Sequence, residues 1–420
     1  MKREFTGLIL FGGFLIIFLI VQINYVEDTE SGDLLTISTL NSFVSAEPAQ
    51  TIASTANASQ ILQEIRFKNK AQIIQNLEKF GPVTNETVLI TIQVHNRISY
   101  LKHLIESLRA SRHISTALLI ISHDIYDDSL NAIIWKIDFC MVIQIFYPYS
   151  IQTHPNRFPG TDPLDCARDL NKYEAESLRC LNHKHPDMYG HYREAKYTQM
   201  KHHWWWKLNF IFDQLWVTKR HRGFLLLLEE DYFMAEDFVD VFNLVQRTMI
   251  QSCDECNILS LGTYFDDMNE NTYNVVNAAP WVTNVHNMGM AFNRTTWNAI
   301  KKCAAKFCTY DEYNYDFSLQ NINRRCLKNK LVVAGITGPR VYHIGECGVH
   351  HTTKNCNADE KVKEVREKLL IAKESSQLFP TALKRGFTNF HQLERDLTPN
   401  GGWGDLRDQN LCLKMTMDVS

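Results

Sequence analysis

Short apolar runs that stop abruptly in polar residues recur along this chain, and Phe224 to Asp231, FLLLLEED, is the sharpest of them. Five apolar residues bounded by Gly223 and by three carboxylates are too short for a helix and suit a strand buried on both faces. The acids then stand at its carboxyl end, where open α/β sheets bind ligands and where a carboxylate can face a hard cation carrying phosphate. An acidic loop that merely ends a strand fits the local pattern equally well. VLITIQV (Val88 to Val94) predicts another strand, followed by His95-Asn96-Arg97, and Leu101, Leu104, Ile105 and Leu108 line one helical face after it. Ala117 to Ser122 predicts a strand that ends in His123-Asp124, Ser129 to Ile137 a helix, and Met141 to Phe146 a third strand. Strand, helix, strand, helix, strand with short joints predicts a parallel, doubly wound α/β sheet.

Around this unit the pattern is less regular. Glu27 to about Ser59 is polar and reads as a tether. Ile61, Leu62, Ile65, Ile73, Ile74, Leu77 and Phe80 then follow helical spacing until Gly81-Pro82, which predicts a stem helix that packs on the domain in preference to a second copy. Tyr147 to about Gly190 is a long polar excursion that Cys166 and Cys180 can staple. Glu194 to Lys219 predicts a long helix carrying Lys201, His202, His203 and Trp204-Trp205-Trp206, so at least one tryptophan must enter the core. Phe238, Val241, Phe242, Val245 and Met249 mark a further helix and Ile258 to Thr263 a further strand; in HNMGMAF (His286 to Phe292), Gly289 suggests close backbone approach or tight packing. Cys253-Asp-Glu-Cys256 between them suits a small disulfide loop better than a zinc knuckle. Thr309 to Leu319, TYDEYNYDFSL, sets Asp311, Glu312 and Asp316 among aromatic rings, which can raise a carboxyl pKa into the range useful for proton abstraction, although a surface acid is the simpler reading of each. His343, after a short strand, and His350-His351 add imidazoles of the kind that bind Mn²⁺-like ions beside carboxylates. Gly401-Gly402-Trp403-Gly404 reads as a turn that docks the tail.

The chain has 420 residues, with 44 basic and 47 acidic side chains and a net charge of -3, which gives no footprint for a nucleic-acid partner. Gly7 to Ile23 is almost unbroken apolar sequence, preceded by Lys2 and Arg3 and followed by Glu27, Asp28, Glu30 and Asp33. That predicts an uncleaved membrane anchor, with the basic flank cytoplasmic and the rest lumenal. Asn57, Asn85 and Asn293 begin glycosylation triplets, and all 11 cysteines lie at or after Cys140, the usage of an oxidising compartment.

QVHNR (Gln93, Val94, His95, Asn96, Arg97), ISHD (Ile121 to Asp124), HYREAK (His191 to Lys196), KHHWWWKL (Lys201 to Leu208), LEED (Leu228 to Asp231), LSLGTY (Leu259 to Tyr264), HNMG (His286 to Gly289), TYDEYNYD (Thr309 to Asp316) and NGGWGDLRD (Asn400 to Asp408) together resemble the N-acetylglucosaminyltransferase II family. The resemblance covers roughly residues 88 to 412 and leaves out the anchor and stem. It implies a single-pass type II Golgi membrane protein with a cytoplasmic tail (1–6), a transmembrane signal anchor (7–25), a lumenal stem (26–82) and a lumenal GT-A-type, Rossmann-like glycosyltransferase domain with disulfides (83–420). It implies Mn²⁺-dependent, inverting transfer of GlcNAc from UDP-GlcNAc in β-1,2 linkage to the α-1,6-arm mannose of N-glycans, which initiates their second antenna. Carried over by position, Asp231 and His343 are metal ligands and Asp316 is the catalytic base. Gln93 to Arg97, Asp124, Gln199, Met200, Lys201, His202 and His203 are donor or substrate positions, Glu230 approaches the ribose, and Glu229 orients the strand end. Met200 and Met268 depart from the small polar residue and the arginine that the family pattern leads one to expect. The resemblance pairs Cys166 with Cys180, Cys253 with Cys256, Cys303 with Cys326, Cys308 with Cys412 and Cys347 with Cys356, and leaves Cys140 as a buried thiol. A lumenal glycan-binding protein without transferase activity, and a related GlcNAc transferase with another acceptor arm, are the rival readings; homo-oligomerisation stays open.

Overall fold

The computed structural model describes residues 48–264, 269–345, 358–386 and 398–417. The apolar run at 7–23, Met268, His350-His351 and the Cys347 and Cys356 positions lie outside them. Among the described residues no helix is long and apolar enough to cross a membrane.

The strands in chain order are β1 (Ile74–Gln75), β2 (Val88–Val94), β3 (Ala117–His123), β4 (Met141–Phe146), β5 (Phe224–Glu229), β6 (Tyr232–Met234), β7 (Ile258–Ser260), β8 (Val275–Pro280), β9 (Met290–Asn293), β10 (Val332–Ile336), β11 (Val341–His343) and β12 (Lys384–Arg385). One sheet has the order β1-β4-β3-β2-β5-β9-β7-β10-β8-β12, and β6 pairs with β11 in a separate ribbon. The neighbours β4, β3, β2 and β5 are parallel, so the carboxyl ends of β3, β2 and β5 lie side by side. The sheet is mixed, however, and not wholly parallel: β9 runs antiparallel between β5 and β7, β1 runs against β4, and β8 runs against β10. An apolar run reports burial and carries no direction, which is why spacing alone predicted a parallel sheet.

Alternate residues of β5 enter opposite cores, Phe224, Leu226 and Leu228 on one face and Leu225 and Leu227 on the other. Each leucine buried in this way contributes roughly 2 kcal/mol. Helices Ile98–Ala110, Asp128–Trp135 and Phe238–Ser252 cover the first face; Ala195–Asn209, Arg294–Lys302, Tyr315–Arg325 and Leu406–Met417 cover the second. All three tryptophans of the triplet are buried in the second core. Their helix, expected as far as Lys219, stays α-helical only to Asn209 and widens into one π turn, Phe210–Gln214. There Asp213 is held by Arg294, Trp297 Nε1 and Lys301 at 3.3, 3.3 and 3.0 Å.

Disulfides join Cys166 to Cys180, Cys253 to Cys256, Cys303 to Cys326 and Cys308 to Cys412, while Cys140 is a buried thiol whose pKa burial pushes up. Of the glycosylation triplets, Asn57 and Asn85 are exposed, whereas the Asn293 side chain accepts from Thr296 N at 3.2 Å and caps a helix.

The helix expected through Phe80 breaks at Gln72, which takes a left-handed φ of 46°. Residues 69–76 instead close the free edge of β4. Asn69 donates to Phe146 O and accepts from Phe146 N, at 2.6 and 2.8 Å, in imitation of a neighbouring strand. β1 pairs antiparallel to β4, and left-handed Asn76 donates to Ile137 O and Cys140 O, both at 2.8 Å. The boundary expected at 82/83 therefore does not part a stem from the domain, and the compact unit begins at Pro48. A fragment starting at Pro82 would leave the β4 edge unpaired. We expect it to melt at least about 5 °C below a fragment starting at Pro48, and to self-associate, by differential scanning fluorimetry and size-exclusion chromatography; equal melting of two monomeric fragments would refute this role for the segment.

Candidate active site

The residues that follow β2, β3 and β5 meet on one edge of the sheet because those strands are parallel neighbours. Glu230 N donates to Gln93 O at 3.1 Å and Asp124 N to Val94 O at 3.3 Å, so the ladder continues one step past the strands. Glu230 is fully buried, and its two oxygens accept from His95 N (2.9 Å) and Arg97 Nε (2.7 Å). It thus ties the loop after β2 to the end of β5. Glu229 is the half-buried member of the pair, with Oε1 accepting from Tyr315 Oη at 3.0 Å.

Asp231 begins the return into β6. The ribbon register sets His343 opposite Tyr232, and Ile344 N donates to Asp231 O at 2.9 Å, so imidazole and carboxylate are brought together. His343 Nε2 lies 3.3 Å and Arg97 Nη1 2.8 Å from Asp231 Oδ2. Burial alone would raise the Asp231 pKa, but His343 and Arg97 outweigh it and hold the carboxylate ionised. Against its own desolvation, Asp231 raises His343 in turn. Two features suit this pair to a hard divalent cation. Asp231 Oδ1 is buried without a hydrogen-bond partner among the described residues, and Gly345 makes room for the pair, since a Cβ there would sit 2.3 Å from Oδ2 and 3.0 Å from Nε2.

Asp316 lies in the first turn of the helix Tyr315–Arg325. Its Oδ2 accepts from Thr283 Oγ1 at 2.6 Å and, more weakly, from Asn287 Nδ2 at 3.4 Å; Oδ1 accepts from Phe317 N at 2.9 Å. Burial raises its pKa despite those bonds, the direction that favours a base able to hold a proton. Tyr315 links this side to the strand end through Glu229 and stacks on Trp204, with ring centroids 4.6 Å apart. The neighbouring acids divide differently: Asp311 Oδ1 accepts from Trp403 N, and Glu312 is wholly buried behind the loop.

At the other end of the edge, His95 Nδ1 and Asp124 Oδ2 are 2.6 Å apart, and Gln199 Nε2 donates to the same oxygen at 2.9 Å. His203 completes a cluster whose ligand atoms lie within 4.8 Å of one another, with Nε2 bonded to Ser122 Oγ at 2.8 Å. Met200 is half-buried beside them in sequence. Lys201 and His202, expected at donor or substrate positions, turn toward the tail and the Tyr310–Glu312 loop. Lys201 Nζ donates to Tyr310 O and Glu312 O, and His202 Nε2 bonds Asp408 at 2.9 Å. Lys207, Thr283, Asn287, Tyr315 and Gly345 were not singled out from the sequence. Burial brings the Lys207 ammonium down to about 7, and among the described residues it donates to Gln93 Oε1, at 2.8 Å, in a position that no spacing rule marks.

One sheet edge gathers carboxylates and imidazoles, and a further buried acid, Asp316, is linked to it through Tyr315 and Glu229; sequence similarity gives the class of protein this edge belongs to. Residues 62–412 match the family model described as N-acetylglucosaminyltransferase II (MGAT2). Alpha-1,6-mannosyl-glycoprotein 2-beta-N-acetylglucosaminyltransferase of Sus scrofa is 41% identical over 352 residues, 82% of this chain and 76% of that protein. The proteins of the same name from Homo sapiens and Arabidopsis thaliana are 40% and 32% identical, covering 82% and 81% of this chain and 76% and 77% of theirs. The chain belongs to the N-acetylglucosaminyltransferase II family and is a glycosyltransferase. Among solved structures, the glycosyltransferase GlyE of Streptococcus pneumoniae overlaps 70% of this chain and 65% of its own, at TM-score 0.33 and 11% identity. A Pyrobaculum calidifontis mannosyltransferase in complex with GDP-Man and Mn²⁺ overlaps 69% and 65%, at 0.30 and 10%. Likeness at that level carries no weight for the reaction.

The His95–Asp124 pair predicts a pH window for stability. Burial alone would lower His95, but Asp124 overrides it and raises the imidazolium pKa to about 9; burial would raise Asp124, but His95 holds it at about 2. The histidine contribution is complete below the unfolded value of about 6.5 and is lost as pH rises through about 9. The carboxylate contribution is complete above about 3.8 and is lost as pH falls through about 2. Chemical denaturation should show a coupling of at least about 1 kcal/mol between His95→Asn and Asp124→Asn at pH about 5, fading by pH about 9.5. A coupling that grows with pH would contradict the pairing.

Proposed function

We propose that the chain transfers GlcNAc from UDP-GlcNAc to the α-1,6-arm mannose of N-glycans in β-1,2 linkage, with inversion and with Mn²⁺ held by Asp231 and His343. The observation that carries this reading is the placement of the Asp231–His343 pair and of Asp316 on two sides of one edge, joined through Glu229 and Tyr315. The relatives named above lend the acceptor and the linkage. The metal, when bound, neutralises charge on the departing diphosphate as a Lewis acid. Arg97 adds a fixed cation beside Asp231. Asp316 takes the proton of the mannose hydroxyl as its oxygen bonds to the anomeric carbon from the face opposite UDP. The carbon–phosphate-oxygen bond breaks, UDP leaves with the electron pair, and the single displacement converts an α-linked donor into a β product.

We place the protein in the Golgi membrane, with residues 7–25 as a type II anchor of a GT-A-type domain. The apolar run and its flanking charges support the anchor, and the disulfides support an oxidising lumen.

A secreted fragment from Pro48, incubated with UDP-GlcNAc and an N-glycan already bearing GlcNAc on its α-1,3 arm, should gain one HexNAc on the α-1,6 arm with Mn²⁺ and none with EDTA, by mass spectrometry. Glycan binding without transfer would overturn the reading in favour of a lectin, and addition on the other arm in favour of a related transferase. Asp316→Asn should leave Mn²⁺-dependent UDP binding within about twofold while lowering transfer by at least about 100-fold. Asp231→Ala should weaken that binding by at least about tenfold in isothermal titration. Equal loss of binding in both variants would refute the division of roles.

A further inference from the structure

The helix that carries Asp316 begins without a cap of its own. Asn314 stands at its N-cap with extended backbone (φ -76°, ψ 123°), yet its side chain makes no capping bond within the helix. That side chain turns back, and Asn314 N and Nδ2 both donate to Glu312 Oε1 at 2.9 Å. The other oxygen, Oε2, accepts from Asn400 N (2.8 Å) and Asn400 Nδ2 (2.9 Å), on the segment that leads into the C-terminal helix. Glu312 is fully buried, and its carboxylate accepts four N–H groups, two from the start of the base helix and two from the tail.

The same contact is braced along the main chain. Gly401 N donates to Asp311 O at 3.1 Å, Trp403 N donates to Asp311 Oδ1 at 2.8 Å, and Lys201 Nζ donates to Glu312 O at 2.8 Å while lying 4.1 Å from the Trp403 ring centroid. Cys308–Cys412 ties the two segments covalently. None of these groups touches Asp316, whose oxygens are taken up by Thr283, Asn287 and Phe317. The tail thus fixes where the first turn starts, and the first turn fixes where the Asp316 carboxylate points.

From this geometry we infer that Glu312 is a positioning residue for transfer, a buried carboxylate through which Asn400 and the C-terminal segment set the aim of Asp316. The inference rests on the reading of Asp316 as the base. A glutamine at 312 keeps the volume but turns one oxygen into an NH₂ facing two N–H donors, so one half of the clamp opens.

The test uses the fragment beginning at Pro48 with UDP-GlcNAc, Mn²⁺ and the N-glycan acceptor. Glu312→Gln should lower kcat about 10- to 100-fold, while KM for UDP-GlcNAc and the calorimetric affinity for UDP with Mn²⁺ stay within about twofold of wild type. Asn400→Ala, a change at a half-buried position, should lower kcat in the same selective way but less; it decides the matter alone if Glu312→Gln shows no cooperative melt. In an Asp316→Asn background, Glu312→Gln should have no further effect on residual transfer. Unchanged kcat, a parallel loss of kcat and UDP affinity, or full additivity with Asp316→Asn would each overturn the inference. A fragment in which Asp316→Asn transfers as well as wild type would overturn the base assignment instead, so the two failures are distinguishable.

Discussion

The end of β5 depends on Arg97. Two adjacent carboxylates, Glu230 and Asp231, are buried at the end of β5, where an uncompensated charge would cost several kcal/mol. One guanidinium serves both, with Nε on Glu230 and Nη1 on Asp231, and burial does not unseat its charge because the two acids hold its pKa up. The planar fork of arginine is what allows a divided contact, and a lysine ammonium could not copy it. The arrangement also leaves Asp231 with a buried oxygen unclaimed, so the acid is held in place without being used up.

Two further buried ion pairs set the pieces that must meet Arg97's cluster. Arg340 and Asp237 are both fully buried; Arg340 donates to Asp237 from Nε and also reaches Gly338 O, Asn274 Oδ1 and Gln377 O. Arg340 immediately precedes β11, so this network fixes the register that delivers His343 to Asp231. On the opposite face, Arg193 grips Asp408 through Nε and Nη2 at 2.6 and 3.0 Å, and His202 bonds the same carboxylate. That pair seats the C-terminal helix against the helix of the tryptophan triplet. Each is saturated with hydrogen bonds, the condition under which a buried pair specifies geometry at tolerable cost.

Much of this was legible in the sequence, and what was not has identifiable causes. Apolar runs ending in polar residues located β2, β3 and β5 and predicted that their carboxyl ends carry the chemistry, because burial on both faces leaves a plain signature. The antiparallel course of β9 left none, since direction depends on the partner strand. Which of Glu229 and Glu230 is buried was not legible: a one-residue step at a strand end turns a side chain from one face to the other, and composition is blind to that step. The burial of Lys201 and His202 left no trace in the sequence because basic side chains are usually solvated, and only the partners Glu312 O and Asp408 account for it. The break at Gln72 was masked by Ile73, Ile74 and Leu77, which continue the helical spacing by coincidence while a short strand carries Ile74 and a separate one-turn helix begins at Leu77.

The helix Ala195–Asn209 shows why those inward-facing basic groups matter. Its successive side chains serve different partners: Gln199 and His203 reach Asp124 and Ser122 at the sheet edge, whereas Lys201 and His202 reach the Glu312 carbonyl and Asp408 on the side of the tail. A helix asked to register against two bodies at once tolerates no rotation about its axis. The three tryptophans remove that freedom, since Trp204 stacks on Tyr315, Trp205 on Phe307 and Trp206 on Phe210. Rings locked on several sides resist the small rolls that aliphatic side chains would allow. The residues at the sheet edge and the helix bearing Asp316 are therefore measured from one rigid rod, and the aromatic triplet is the means by which two distant parts of the chain share a common frame.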